Sequence, residues 1–411
     1  MKNAVAQVKE KVPLSTFSTD VPCGSFNTSP TILQVIPALK SGGVEIETLE
    51  IAGAILTAGG RPIIVSAKGE LSNHPRAKGI LLKTLPLNTK NPFKMWKNAQ
   101  LLKKLILEEK VDIVHARSRR PAWSAFKAAK ETGRPFITTY HGAYKAGSIF
   151  KTFFNSVMSM GDRVIAISPF IEQHIKKIYA RFSWFDPSKV RLIPRGIDLK
   201  TFDPKNIDPK KVEHLRKKWN IPKESRLILL PGRISKSKGQ DTLIEALSFM
   251  KRGNYITILL GSALGHENYR DHLLRFASSL GLEGNIRWEP ALTDIAPTYQ
   301  LADVIVCPSH VPEAFGRLIV EAQAMGKPII ATCHGAACDI IEDEKTGWLV
   351  PPEDARALAK ALNHVLSLSP RKLEAYSKHA LKNAQSYSKD TMCSKTIAVY
   401  KEVISNPPSA R

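Results

Sequence analysis

No stretch of this 411-residue chain approaches the roughly 20 consecutive apolar residues that a membrane-spanning helix requires, so no segment is expected to cross a bilayer. The first thirty residues lack the apolar core of a secretory signal; a loose tail is expected there, not an export address. Cysteine is scarce. Cys23, Cys307, Cys333, Cys338 and Cys393 are an odd and scattered set, and the Cys333–Cys338 spacing is neither a CxxC redox pair nor half of a zinc site. Free thiols in a reducing cytosol are the reading that follows. Acidic residues are also few: 37 Asp+Glu stand against 60 Lys+Arg, a formal charge of +23. Such a surplus points to a polyanionic partner, whether phosphate-rich lipid, an anionic membrane face or nucleic acid. There is no short-period repeat, no Asp-x-Asp cluster to hold a metal ion, and no recognition-helix, RNP or zinc-finger pattern.

What is present is the material of two folded domains. Hydrophobic residues make up 43% of the chain, the share of an ordinary globular protein. Its length exceeds the roughly 250–300 residues at which a single core stops growing. Short β-branched runs alternate with helix-period segments, the signature of βαβ units and parallel sheets. Strands are expected at 31–36, 62–66, 111–115, 135–140, 163–167 and 190–194, with helices at 44–58, 91–110 and 118–131. A second series follows, with strands at 226–231, 255–261, 304–308 and 328–332, helices at 239–251 and 316–325, and a closing helix at 389–405. The stretch 201–211, rich in Pro, Asp and Lys, reads as the interdomain connection. The expected fold is α/β: a tail at 1–30, one doubly wound Rossmann-like domain at 31–198, a second at 199–385, and a final helical segment at 386–411. In such folds ligands sit outside the carboxyl ends of the strands, at helix N-termini.

The conspicuous residues fall at those ends. Strand 226–231 runs into Gly232, and Arg233, Lys236 and Lys238 follow before a helix opens near Gly239. Cations beside a helix start suit a diphosphate, because free N–H groups and the positive dipole end act together with full charges. Arg233 and Lys238 bracket the turn and are read as functional, Lys236 as solvated. Strand 304–308 leads to a turn carrying Glu313, then to Phe315, Gly316 and Arg317 at a helix mouth, with Glu321 on the second helical turn. Carboxylates so placed accept hydroxyl hydrogen bonds from a sugar or ribose. The plainer alternative is that Glu313 only favours the helix N-terminus and Glu321 faces solvent. Near the amino end, Gly42 and Gly43 turn the first strand into the first helix and let backbone approach a phosphate or sugar ring. This is not G-x-G-x-x-G, which disfavours NAD. His115 and His141 also stand at strand ends, and His141, before Gly142, is the better placed to enter a cleft.

Gly42-Gly43-Val44-Glu45, His141-Gly142, Gly232-Arg233 with Lys238-Gly239, and above all Glu313, seven residues, Glu321 resemble the retaining family-four glycosyltransferases of the GT-B fold. The likeness runs from residue 31 to about 405. It implies a cleft between two Rossmann-like domains, a nucleotide-diphosphate sugar as donor and retention of anomeric configuration; no cofactor is expected, and no metal, because Arg233, Lys238 and a helix dipole supply the positive charge. It further implies that Arg233 and Lys238 hold the diphosphate, that Glu313 contacts the transferred sugar and Glu321 the ribose. Backbone amides around Phe315, Gly316 and Arg317 would bind sugar or phosphate, and Gly42, Gly43 and Gly232 would face the donor. His141 would lie by the reacting carbon or the 6-hydroxyl, and the last helix would cross back to the first domain. Two departures stand out. Arg195 precedes Gly196-Ile197-Asp198 where the family often has Asn, and is either an extra phosphate contact or solvent-facing. The stretch from His334 to Asp339 replaces the family's usual Gly-Gly…Glu, which leaves base and sugar selectivity open.

For the acceptor, the helix at 91–110 interleaves Phe93, Met95, Trp96 and leucines with lysines, and an amphipathic helix whose lysines lie over its core face accounts for that. Lys145, Phe150, Lys151, Phe153 and Phe154 form a second basic-aromatic run, read equally as an anionic-membrane contact or as core packing. With the charge, this suggests a glycan or lipid-linked, phosphorylated acceptor, and a protein peripheral at the cytoplasmic face of a membrane. The phrasing is similar to bacterial lipopolysaccharide core glycosyltransferases. A GT-B nucleotide-sugar isomerase or binder, and a basic nucleic-acid-binding protein, are the alternative functions; no nucleic-acid partner is expected.

Overall fold

A computed structural model describes residues 24–40, 42–144, 148–250 and 253–406. Cys23 and Lys145 lie outside the described residues.

The first half forms β1 (Thr31–Ala38), α1 (Gly43–Thr57), β2 (Arg61–Ala67), β3 (Leu81–Thr84), α2 (Pro92–Glu108), β4 (Ile113–Ala116), α3 (Arg119–Glu131), β5 (Phe136–Tyr140), α4 (Ile149–Ser156), β6 (Arg163–Ala166), α5 (Pro169–Tyr179) and β7 (Val190–Leu192). The seven strands are parallel, in the order β3-β2-β1-β4-β5-β6-β7. Ile32, Leu33, Val35 and Ile36 of β1 are all fully buried. That lack of alternation is what a parallel strand covered by helices on both faces requires. Helix starts are set locally: Asn91 and Ser168 each accept a backbone N–H of the first turn, and a proline follows each.

The second half comprises α6 (Pro209–Lys218), β8 (Arg226–Pro231), α7 (Gln240–Ser248), β9 (Tyr255–Leu260), α8 (Glu267–Ser279), β10 (Ile286–Glu289), α9 (Ala296–Leu301), β11 (Val304–Cys307), α10 (Arg317–Ala324), β12 (Ile329–Thr332), α11 (Ala337–Ile340), β13 (Trp348–Val350), α12 (Ala355–Leu366), α13 (Pro370–Gln385) and α14 (Lys389–Ser405). Its six parallel strands run β10-β9-β8-β11-β12-β13. The expected pair of doubly wound sheets is therefore found.

In both sheets the winding reverses at one junction, between β1 and β4 and between β8 and β11. The loops leaving those strands flank the crevice where such folds bind ligands. They carry Gly42 and Gly43 after β1, Arg117 after β4, Arg233 to Lys238 after β8 and Glu313 after β11. α14 packs on the first half: Met392, Ile397, Tyr400 and Val403 share a buried cluster with Ile32, Ile51, Ile113 and Ile137. Among the described residues no helix is long and apolar enough to cross a membrane.

Candidate functional site

On the carboxyl-terminal lobe, two loops are fastened to each other. Gly239 adopts a left-handed conformation, φ 69°, and a Cβ there would stand 1.9 Å from the Pro308 carbonyl oxygen, so only glycine lets the basic turn lie against the loop after β11. His310 N–H donates to the Ser237 carbonyl at 3.0 Å, and its Nε2 bonds the Thr242 hydroxyl at 2.7 Å. This zipping places Lys238 Nζ 2.5 Å from Glu313 Oε1, and the Ser309 hydroxyl donates to the same oxygen at 2.8 Å. Burial disfavours the Lys238 ammonium, but the Glu313 charge outweighs it and its pKa lies above the ordinary lysine value. The Glu313 turn is held from behind. Its carbonyl accepts the Ala336 N–H at 2.9 Å, and Gly335 pairs with it in a short bridge. Arg233 is exposed beside Lys238, and its guanidinium has no hydrogen-bond partner among the described residues.

Gly316, φ 75°, opens α10. Glu321 is 6% exposed, and both its oxygens are engaged: Oε1 accepts Arg317 Nε at 2.6 Å and Oε2 accepts the Tyr299 hydroxyl at 2.7 Å. The solvent-facing alternative for Glu321 is thereby excluded. Phe315 turns its ring inward against Tyr387, so what it can offer a ligand is its backbone.

On the amino-terminal lobe the centre is a carboxylate, Glu47, on the second turn of α1 and almost wholly buried. It pairs with Arg117, and Arg195 Nε forms an ion pair with its Oε2 at 2.8 Å. Burial alone would raise its pKa; the surrounding cations, His141 when protonated and then Arg117 and Arg195, outweigh burial and hold it at about 2. His141 Nδ1 lies 3.8 Å from Glu47 Oε2, and neither ring nitrogen has a hydrogen-bond partner among the described residues. Burial pushes His141 down to about 3, so the imidazole is neutral at physiological pH and Glu47 is held ionised by the arginines. Arg195 also leaves one terminal nitrogen unpartnered there, at 2.5 Å from where a Cβ of Gly43 would be. Across the cleft, Arg317 is close enough to act electrostatically on Arg195 and Glu50. The two lobes thus present their charged loops to one another, and Ser168 Oγ donates to the Ala314 carbonyl at 2.6 Å between them.

Comparison with known proteins places the chain in a family. A family model described as Glycosyltransferase Family 4 matches residues 41–201, and one described as Glycosyl transferases group 1 matches 211–383. A glycosyltransferase from Rickettsia africae ESF-5 of known structure is 37% identical, with a TM-score of 0.86 over 93% of this chain and 100% of that one. The chain is a GT-B glycosyltransferase. Among curated relatives, a D-inositol 3-phosphate glycosyltransferase from Kineococcus radiotolerans is 29% identical over 62% of this chain; the match spans 60% of that relative's length. HepE from Anabaena, solved with UDP and glucose, shares the fold at 21% identity, TM-score 0.79, over 91% of this chain and all of its own.

In this glycosyltransferase the structure brings Lys238 and Glu313 into contact and puts Arg233, Gly232 and Phe315–Arg317 around them. Arg195 does not face solvent; it is locked on Glu47. His115 is a core residue, 0% exposed and bonded to Tyr400 and Thr139 at 2.7 Å each. Cys333 and Cys338, both free, have their sulfurs 3.2 Å apart beside the Glu313 turn. Phe150 and Phe153 are 86% and 64% exposed, Lys151 is exposed and Phe154 half-buried, which removes the core-packing alternative for the first two. Four supporting residues were missed. Glu47 reads in sequence as a surface glutamate of an amphipathic helix, and Ser309 and Tyr299 carry no local signal. Arg117, directly after a strand end, was the one that position could have exposed.

Proposed function

We propose that the protein transfers a hexose from a nucleoside-diphosphate sugar to an acceptor hydroxyl with retention of anomeric configuration. The observation that carries this is the Lys238–Glu313 contact at the mouth of α10, with Glu321 further down the same helix. Donor binding draws Lys238 and Arg233 onto the diphosphate, leaves Glu313 to the sugar hydroxyls and Glu321 to the ribose. As the glycosyl–phosphate bond lengthens, negative charge grows on the departing oxygen, and fixed cations with the α10 amides stabilise it without reorganising. A departing phosphate oxygen takes the acceptor proton on the same face as the new C–O bond forms. His141 serves as a neutral hydrogen-bonding ring beside the sugar. Gly42 and Gly43 let the α1 start approach the donor, with Arg195 behind them.

Lysine and arginine charge make a metal ion unnecessary in this scheme. The acceptor is proposed to be a phosphorylated, lipid-anchored glycan of the cell envelope, of the lipopolysaccharide core kind, met at the cytoplasmic face of a membrane. The +23 charge and the exposed aromatic-lysine face support that. Radiolabelled nucleotide sugars incubated with membrane lipid extracts in EDTA test the whole reading. Label is expected to move into the lipid fraction with the α or β configuration of the donor. Donor epimerised or retained unreacted would mark an isomerase or a binder instead, and activity dependent on added Mg²⁺ or Mn²⁺ would overturn the metal-free step.

A further inference from the structure

A second recess lies away from the sugar-transfer cleft, on the flank of the amino-terminal lobe between α2, α3 and α4. It has a volume of about 590 Å³. Met95, Trp96, Ala99, Trp123, Phe126 and Phe153 make its walls. Trp123 and Phe153 lie against each other with centroids 5.4 Å apart, and the indole N–H is already satisfied by the Phe154 carbonyl at 2.9 Å. The walls therefore offer a ligand apolar surface and little hydrogen bonding.

Its surroundings are cationic. Lys90, Lys127 and Lys130 stand on the rim, and Lys94, Lys97 and Lys151 are exposed on the adjoining turns of α2 and α4. The carboxylate among the lining residues, Glu131, is neutralised by Lys127 at 2.6 Å and Lys103 at 3.1 Å. Phe93, Trp96 and Phe150 project from the same elements at 72%, 53% and 86% exposure, so α2 turns only part of its apolar residues to the core. An apolar slot ringed by lysines complements a molecule with a hydrocarbon tail and an anionic head.

We infer that this groove holds one acyl chain of an anionic phospholipid, its head group on the lysine rim and Phe93 and Phe150 in the interfacial layer. The volume is in the range of small-molecule pockets, roughly 300–1,000 Å³, which suits one chain and not a whole lipid. The inference goes beyond the proposed reaction and does not rest on it, because binding needs neither sugar donor nor acceptor.

The test uses the full chain with phosphatidylglycerol vesicles containing a phosphatidylglycerol that bears a mid-chain diazirine. Photo-adducts are expected on the groove walls, at Met95, Trp123 and Phe126. They should fall at least fivefold in Ala99→Phe, which fills the floor. Because Ala99 is buried and that variant can misfold, Lys90→Glu with Lys130→Glu provides a second, exposed handle. Each surface cation is worth a factor of about five in membrane affinity, so vesicle binding should drop about tenfold or more while the melting temperature holds. Adducts confined to Phe150 and Lys151, equal binding to neutral phosphatidylcholine vesicles, or a lipid-free dimer that shields Trp123 would each overturn the inference.

Discussion

Lys238 and Glu313 neutralise each other at 2.5 Å in the site to which the proposed function brings a doubly charged diphosphate. Glu313→Gln keeps the shape and the Ser309 hydrogen bond but removes the charge that raises the Lys238 pKa and that, under the proposed function, orients the sugar. Turnover is expected to fall by about 10²–10³, the usual loss for one preorganised electrostatic contact. Initial rates with radiolabelled donor check it, and a variant retaining most of its turnover removes Glu313 from the sugar site. The buried cluster beneath His141 predicts how stability responds to acid. His141 titrates near 3 when folded against an ordinary 6.5, so between those values the unfolded chain binds more protons than the native one. Stability from this group is complete above about pH 6.5 and is lost as pH falls toward 3; His115, also pushed down by burial, acts in the same sense. Glu47, depressed to about 2, adds a further loss below pH 4.5. His141→Asn should flatten the decline in melting temperature between pH 6.5 and 4, and calorimetry at several pH values would show an unchanged slope if the ring were already solvated.

At the scale of elements, the glycines that join loops decide whether the site forms. Gly239→Ala forces a side chain into a left-handed turn and into the Pro308 carbonyl. Backbone strain of this kind costs about 1–3 kcal/mol, and it would separate the Lys238 turn from Glu313. The variant should therefore lose donor affinity more than global stability, measurable by isothermal titration with the nucleotide beside a thermal melt. Why some elements were legible and others not follows from the same physics. Strands buried on both faces, such as β1, β8 and β11, are largely apolar runs and were readable to within two residues. β3, β10 and β13 are three or four residues long and lie toward the sheet margins, where half-burial leaves no run to read. The amphipathic account of α2 held for Leu102, Leu105 and Ile106 and failed for Phe93 and Trp96, because periodicity does not reveal which apolar face lacks a neighbour. In the site, Glu313 and Lys238 were legible as residues at strand ends. Glu47, Ser309 and Tyr299 were not, since their roles arise from contacts 22 to 148 positions away or from a turn, which no local pattern encodes.

The two lobes are joined by a pair of chain crossings lying side by side. Ile197 N–H donates to the Tyr387 carbonyl at 2.9 Å and Lys389 N–H returns to Ile197 at 2.8 Å, while Lys389 Nζ pairs with Asp198 at 2.9 Å. We expect this crossing to act as a two-stranded hinge, and Gly196 lies tight against the second strand. A Cβ there would stand 2.5 Å from the Ser388 carbonyl oxygen and 2.6 Å from Lys389 Cα, backbone atoms that cannot swing aside. Gly196→Ala must therefore spread the crossing, and overpacking of this kind costs about 1–3 kcal/mol. The lobes also touch beside this crossing, at Ser168–Ala314 and through Phe170 N–H on Asp339 Oδ2 at 2.9 Å. Ser168→Ala removes one of these without steric strain, together with the Ile171 N–H bond that caps α5. Gly196→Ala should lower the melting temperature by several degrees. Ser168→Ala, which also loses the α5 cap, should cost about 1 kcal/mol and widen the cleft, seen as a larger radius of gyration by small-angle scattering that contracts when donor is added. A Gly196→Ala melting temperature equal to that of the unaltered protein would mean that the crossing yields freely, and an unchanged radius for Ser168→Ala that this contact does not hold the lobes together.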